Sequence, residues 1–183
     1  MKDFLYIKPP KTATTAVQYA LQPHTLYNSK NGISITGHTE DIRHHLTYLQ
    51  YLKILGLEKI KNAIILGTIR NPWDRCVSAW LFSTKQSQKT FKNFLLSYND
   101  FQYNYFVGAD NVNYIKVENL QQDFDIVCGK IGIPQQEVTI KNKGPRRFRQ
   151  NKKDYTEYYN NETKEIVAKK HAKDIEYFGY EFK

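Results

Sequence analysis

What most constrains this chain is its beginning, where the apolar run Phe4-Leu5-Tyr6-Ile7 gives way to Lys8-Pro9-Pro10-Lys11-Thr12-Ala13-Thr14-Thr15 and then to a helix-forming segment. An apolar run ended by prolines reads as a buried strand, because proline lacks the backbone donor needed to extend a ladder. Ala13 to Leu21 supply helix formers with Val17 and Leu21 on one face. A strand that turns directly into a helix aims the first-turn N–H groups at one place, and the partial positive charge of the helix end lies there too. Lys11 adds a full charge and the hydroxyls of Thr12, Thr14 and Thr15 add donors, so the turn suits a phosphate or sulfate.

In the Walker A pattern GxxxxGK[ST], glycines let the backbone wrap the phosphates and the residue after lysine ligates magnesium. This loop has Lys-Thr but no glycine, which disfavours a conventional ATPase or GTPase. An ordinary strand-to-helix connection with a solvated lysine is the competing reading of this segment alone.

A second strand, turn and helix follow at Ala63-Ile64-Ile65-Leu66-Gly67-Thr68-Ile69 and Arg70-Asn71-Pro72-Trp73-Asp74-Arg75-Cys76-Val77-Ser78. The near-continuous apolar run suits a strand covered on both faces of a parallel sheet, Asn71 is a natural N-cap, and Pro72 fits the first helical position. Arg70 then stands at the carboxyl end of the strand, the edge where open α/β sheets bind ligands, and can converge with the Lys11 loop if the two strands are neighbours. Ser78 lies about two turns into the helix and can face the same side. A Walker B strand would end in an aspartate; the arginine here favours a metal-free anion contact. Pairing with Asp74 is the alternative for Arg70.

With these two motifs in this order, the chain resembles sulfotransferases that use 3′-phosphoadenosine 5′-phosphosulfate (PAPS), in the carbohydrate-modifying group that includes heparan sulfate 2-O-sulfotransferase. Pro10-Lys11-Thr12-Ala13-Thr14-Thr15 resembles that family's 5′-phosphosulfate loop, and Arg70-Asn71-Pro72 with Asp74, Arg75 and Ser78 resembles its 3′-phosphate motif. The resemblance implies that Lys11, Thr12, Ala13, Thr14 and Thr15 hold the 5′-phosphosulfate and that Arg70 and Ser78 hold the 3′-phosphate. It extends through Asn113–Leu120 with Asp123-Phe124, and through Tyr155, Tyr158, Tyr159 and Asp174–Tyr180. In relatives a loop near Lys141–Arg149 closes over the nucleotide, which makes Arg146 or Arg147 a nucleotide contact; a solvated basic loop is the alternative for each. By resemblance, Gly37-His38 supplies the catalytic base.

Histidine also suits that task physically, since a hydroxyl attacking sulfur must lose its proton and an ordinary imidazole, with a pKa of about 6.5, is mostly neutral at pH 7. His38 follows a short β-like segment, Ile33–Thr36, and a glycine, at a helix start, whereas His44 and His45 read as surface or packing residues and His24 and His171 have no partner visible in sequence. The stripe Ile166, Val167, His171, Ile175, Phe178 with Gly179 behind it reads as core, as do most aromatics of Tyr98–Phe106, although these could offer stacking faces to a sugar.

The implied reaction is in-line transfer of a sulfuryl group from PAPS to an acceptor hydroxyl, with a glycan preferred, Lys11 assisting at the bridging oxygen, adenosine 3′,5′-bisphosphate (PAP) leaving, and no metal. A nucleotide-dependent kinase of the same fold and a non-catalytic binder of sulfated or phosphorylated ligands are the competing functions. The expected fold is a three-layer, P-loop-type α/β arrangement in which Phe4–Ile7, Ala63–Ile69 and Asn113–Val117 form a central parallel sheet flanked by helices. At 183 residues the chain suits one domain, residues 1–183. Its net charge of +9 fits a multiply anionic cofactor as well as it fits nucleic acid, and no nucleic-acid module or zinc spacing accompanies it. Cys76 and Cys128 read as buried free thiols. No apolar run is long enough to span a membrane and no signal peptide is evident, so the chain reads as cytoplasmic, a removed anchor being the alternative.

Overall fold

The apolar runs form the strands that their composition predicts. A computed structural model describes residues 1–24, 45–83, 89–140 and 153–183. In chain order these hold β1 Phe4–Ile7, α1 Thr14–Leu21, α2 Tyr48–Leu55, α3 Leu57–Ile60, β2 Ile64–Ile69, α4 Pro72–Ser83, α5 Phe91–Ser97, β3 Asn113–Lys116, α6 Leu120–Ile131, α7 Asn161–Lys170 and α8 Ala172–Phe178. The possible strand at Ile33–Thr36 lies outside the described residues. The chain groups into two compact units, one of Met1–Ile69 with Asn104–Ile140, the other of Arg70–Tyr103 with Lys141–Lys183.

The first unit carries the sheet, in the order β1-β2-β3, with both pairs parallel. Phe4 stands opposite Ile64 and Ile7 opposite Gly67, while Leu66 stands opposite Asn113 and Ile69 opposite Lys116. The strands therefore end together along one carboxyl edge. On one face, Phe4, Tyr6, Leu66 and Ile115 pack with Ala16, Val17, Ala20 and Leu21 of α1 and with Phe124, Val127, Cys128 and Ile131 of α6. Successive strand side chains alternate between faces, and the opposite set, Leu5, Ile7, Ile65 and Ile69, is buried as well. A parallel sheet needs this double cover, which is why its strands read as continuous apolar runs.

Gly67 is required by its neighbour: a Cβ there would sit 2.3 Å from Cε1 of Phe106, which packs edge-on against Tyr114. α6 ends where Gly132 takes the left-handed conformation, φ 75°, and Ile133 N–H returns to the Cys128 carbonyl.

The second unit is helical. Asn71 caps α4 as its sequence position predicts, its Oδ1 accepting from Trp73 N–H at 3.0 Å with Pro72 in the first helical position. Trp73, Cys76, Ala79, Phe94, Leu95 and Val167 form the core, ringed by Trp80, Phe91, Tyr155, Tyr159 and Phe182. Edge-to-face contacts such as Trp73 on Phe182 at 5.6 Å and Phe91 on Tyr159 at 5.0 Å absorb much of the aromatic content. The closing stripe is core, as expected, but it is carried by two helices that break at His171, and Gly179 ends the second at φ 65°. Both cysteines are free and buried; burial pushes the Cys76 thiol up to about 12 and also raises that of Cys128. No helix among the described residues is long and apolar enough to cross a membrane.

Candidate anion-binding site

The loop after β1 wraps without glycine. Lys11 and Ala13 both take the left-handed conformation, φ 66° and 55°, which side chains ordinarily avoid. This is the backbone shape that glycines would supply, here held by residues that lose about 1–2 kcal/mol each by adopting it. Ala13 is also the N-cap of α1; it offers no side-chain acceptor, and no acidic residue stands in the first turn. By contrast Thr47, Thr90 and Asn160 each cap their helices with a side-chain oxygen. The donors at the start of α1 thus face a site with no side-chain acceptor from the cap, which suits an external anion.

Thr12 corrects one expectation. Its hydroxyl is not offered to a ligand: the residue is fully buried, and Oγ1 donates to the Pro9 carbonyl at 2.7 Å. Since that bond uses its only hydrogen, the 2.8 Å contact with Thr68 Oγ1 must have Thr68 as donor, and Thr68 in turn accepts from Tyr6 Oη at 3.2 Å. A one-way chain of hydroxyls therefore runs from β1 through β2 into the loop and holds its shape. Burial raises the Tyr6 phenol well above its ordinary value, which keeps it a donor. Thr12 can meet a ligand through its backbone only, whereas Lys11, Ala13, Thr14 and Thr15 are partly exposed.

Two groups near the loop escaped the sequence reading. Lys8, one residue past β1, is 2 % exposed, and its Nζ has no hydrogen-bond partner among the described residues. Its carbonyl accepts from Nδ1 of His45 at 2.6 Å. A carbonyl only accepts, so Nδ1 carries a hydrogen, and in the neutral ring Nε2 is then the acceptor nitrogen. His45, expected to be a surface or packing residue, is exposed, and its ring is tied through Nδ1 to the foot of the loop.

In the second unit, Arg70 pairs bidentately with Asp74, Nε at 2.8 Å from Oδ2 and Nη2 at 2.7 Å from Oδ1, so the carboxylate partner foreseen in the sequence is engaged. The pair fixes the plane of the guanidinium fork. From Arg70 to Ala79 only Arg70, Asp74 and Ser78 are not buried, and within α4 the four-residue spacing puts Ser78 on the same side as Asp74, the partner of Arg70. Arg75 is interior, with Nη1 on the Asp100 carbonyl at 2.8 Å and Nη2 on its carboxylate at 2.9 Å.

Sequence reasoning also missed Gln102, which lies among the aromatics that drew attention instead. Its buried amide accepts from Arg70 N–H and donates to the Arg70 carbonyl, both at 2.8 Å. Gln102 is itself held by Asp174, whose carboxylate accepts from the backbone N–H of Gln102 at 2.9 Å and of Tyr103 at 2.8 Å. His171 finds partners invisible in sequence, Cys76 Sγ at 3.6 Å and Asp174 Oδ2 at 3.5 Å. These three residue types can form a nucleophile, base and orienter, but here all are buried, the thiol is pushed up to about 12, and the carboxylate is committed to two backbone donors. The trio is a packing node. The segment Tyr98–Phe106 likewise packs on its own surroundings, as with Tyr98 on Phe94 at 4.9 Å and Tyr103 on Tyr177 at 4.9 Å.

His38, Arg146 and Arg147 lie outside the described residues. Among the described residues no three His, Cys, Asp or Glu side chains gather as a metal-ligand group.

No family model matches the sequence, and no curated protein matches it significantly. Among solved structures the chain is similar to a sulfotransferase from Alicyclobacillus acidocaldarius, with a TM-score of 0.50 and 15% identity over 100% of this chain and 97% of that one. It is also similar to mouse sulfotransferase SULT7A1 complexed with PAP, with a TM-score of 0.48 and 16% identity over 100% of this chain and 68% of the other. At such identities the likeness to the bacterial enzyme concerns the fold, and the chain has the P-loop-like α/β fold of that sulfotransferase, a parallel sheet flanked by helices.

Proposed function

We propose that this chain transfers a sulfuryl group from PAPS to an acceptor hydroxyl, with a carbohydrate as the preferred acceptor, as a single cytoplasmic domain spanning residues 1–183. The observation that carries the reading is the loop between β1 and α1, left-handed at Lys11 and Ala13 and opening onto a helix start without a side-chain cap. Such a loop fits an anionic group held by backbone donors, and its sequence is the part that most resembles a phosphosulfate loop.

In this reading the N–H groups around Ala13 to Thr15 hold the 5′-phosphosulfate, with Thr12 contributing through its backbone. Lys11 lies against the bridging oxygen and offsets the negative charge that grows there. Arg70 and Ser78 hold the 3′-phosphate, and Arg146 or Arg147 closes over the nucleotide. As the acceptor oxygen bonds to sulfur and the bond from sulfur to the bridging oxygen breaks, the electron pair leaves with PAP. His38 takes the hydroxyl proton. Positioning and charge stabilisation do most of the work, as in phosphoryl transfer. His45, whose neutral ring with Nδ1 on the Lys8 carbonyl presents Nε2 as an acceptor, is a second candidate base.

Calorimetry with PAP and with ATP–Mg tests the donor. PAP is expected to bind more tightly, Lys11→Ala and Arg70→Ala to weaken it, and His38→Ala to leave it unchanged while lowering turnover roughly 10²- to 10⁴-fold. Preference for ATP–Mg would replace the assignment with a kinase, and full turnover in His38→Ala would move the base to another residue such as His45.

A further inference from the structure

Lys8 is the group in the first unit that the reading above leaves unused. It is a cationic side chain at the carboxyl edge of β1, 2 % exposed, whose Nζ has no hydrogen-bond partner among the described residues. Counting on from Phe4 and Tyr6, the strand pleat puts Lys8 on the face of the sheet covered by α1, where the Tyr6–Thr68–Thr12 hydroxyl chain runs into the loop. A buried ammonium is costly unless it is paired, and protein interiors almost always satisfy such groups. The hydroxyls of Tyr6, Thr68 and Thr12 bond to one another and to the Pro9 carbonyl, and none of them is a hydrogen-bond partner of Lys8 Nζ.

The position is also fixed from outside. Nδ1 of His45 holds the Lys8 carbonyl at 2.6 Å, so the residue is anchored at its backbone while its ammonium stays without a partner. Immediately downstream the loop carries two strained residues and a helix start with no side-chain cap. Groups kept unsatisfied or strained in a folded protein cluster where a ligand completes them.

We propose that Lys8 is a second anion-pairing cation of this loop: with Lys11 it forms a two-lysine cradle, and the phosphate or sulfate group bound there supplies the counter-charge that the described residues do not give Lys8. Two cations suit a phosphosulfate, which carries negative charge on two adjacent centres, better than one does. The lowering of the Lys8 pKa by burial, with no charged neighbour contributing, agrees with a group awaiting its partner. The proposal rests on the anion-binding reading of the loop and concerns which residues complete it.

The test is a stability and binding comparison in the full chain, using inorganic sulfate and PAP as probes. Lys8→Met keeps the length of the stem and removes the charge, and Lys8→Gln is a second variant in case methionine packs badly. At least one of these is expected to melt higher than the wild type without ligand, because the unpaired ammonium is gone, and to bind both probes roughly 10- to 100-fold more weakly, the loss expected for a charge-assisted contact. Wild-type affinity in the variants overturns the proposal, as does a lower melting temperature or failure to fold in both, since each would make Lys8 a structural residue. If the wild type binds PAP and the variants bind it equally well, the proposal falls and the donor assignment stands. Should the wild type bind sulfate but not PAP, with the variants losing sulfate, the cradle stands and the donor assignment falls. Absence of binding to either probe by the wild type removes both.

Discussion

Lys11 and Ala13 show how a single residue can do the work of another type at a cost. The loop lacks the glycines that usually permit a left-handed turn, yet both positions adopt it, at φ 66° and 55°. Between them Thr12 is held by the buried hydroxyl chain from Tyr6 through Thr68 to the Pro9 carbonyl, which ties the loop to two strands. Ala13→Gly should therefore stabilise the protein, by up to about 1 kcal/mol, since relief of the left-handed strain outweighs the extra freedom glycine gives the unfolded chain. Ala20→Gly, inside α1 and buried, should instead cost about 1 kcal/mol or more. Urea unfolding of the two variants checks this, and equal losses at both positions would show that Ala13 carries no strain.

Elements depend on contacts that a strand or helix pattern does not reveal. β2 reads as an uninterrupted apolar strand, and its glycine looks incidental until Phe106 is placed over it, with Cε1 2.3 Å from where a Cβ would be. Gly67→Ala should destabilise the protein by about 1–3 kcal/mol through overpacking. Combining it with Phe106→Leu, which removes the clashing ring atoms, should recover part of that loss, so that the double variant is less destabilised than the sum of the two single changes. Simple additivity in thermal unfolding would remove the clash as the cause. Helical periodicity was more readable: the stripe Arg70, Asp74, Ser78 and the cap at Asn71 both follow from spacing and residue type alone.

At the scale of the whole molecule, the chain's two units are interleaved, each built from segments separated in sequence. In the second, Val167 joins Trp73, Cys76 and Leu95 in one core, Tyr159 donates to the Trp73 carbonyl at 2.9 Å, and Trp73 Nε1 donates to the Lys164 carbonyl at 3.2 Å. A chain ending at Ile140 should therefore lose the fixed environment of Trp73 and Trp80. Its near-ultraviolet circular dichroism should flatten, and residues 70–103 should become open to limited proteolysis. A retained tryptophan signal would mean that this segment folds without its C-terminal half. The same interleaving lets Asp174 hold Gln102 and Gln102 hold the backbone of Arg70, so a residue near the end of the chain sets the posture of a proposed ligand contact 104 positions earlier in sequence.

By itself the sequence determined the first two strands, the helices that follow them, the caps at Asn71 and Gly179, and the two buried thiols, while the third strand was read from the family resemblance. Those features follow from local rules of apolar runs, proline placement and spacing, which act within a few residues. The positions of Lys11, Arg70 and Ser78 as ligand candidates came from the same local patterns. Only the tertiary structure decided that the Thr12 hydroxyl turns inward, that Arg70 is held by Gln102, that Lys8 is buried with no hydrogen-bond partner among the described residues, and that His45 is tied to its carbonyl. Thr12 with Thr68, Arg70 with Gln102 and Lys8 with His45 are joined across tens of positions, and a pairing of that range depends on how the elements dock, which no local pattern encodes.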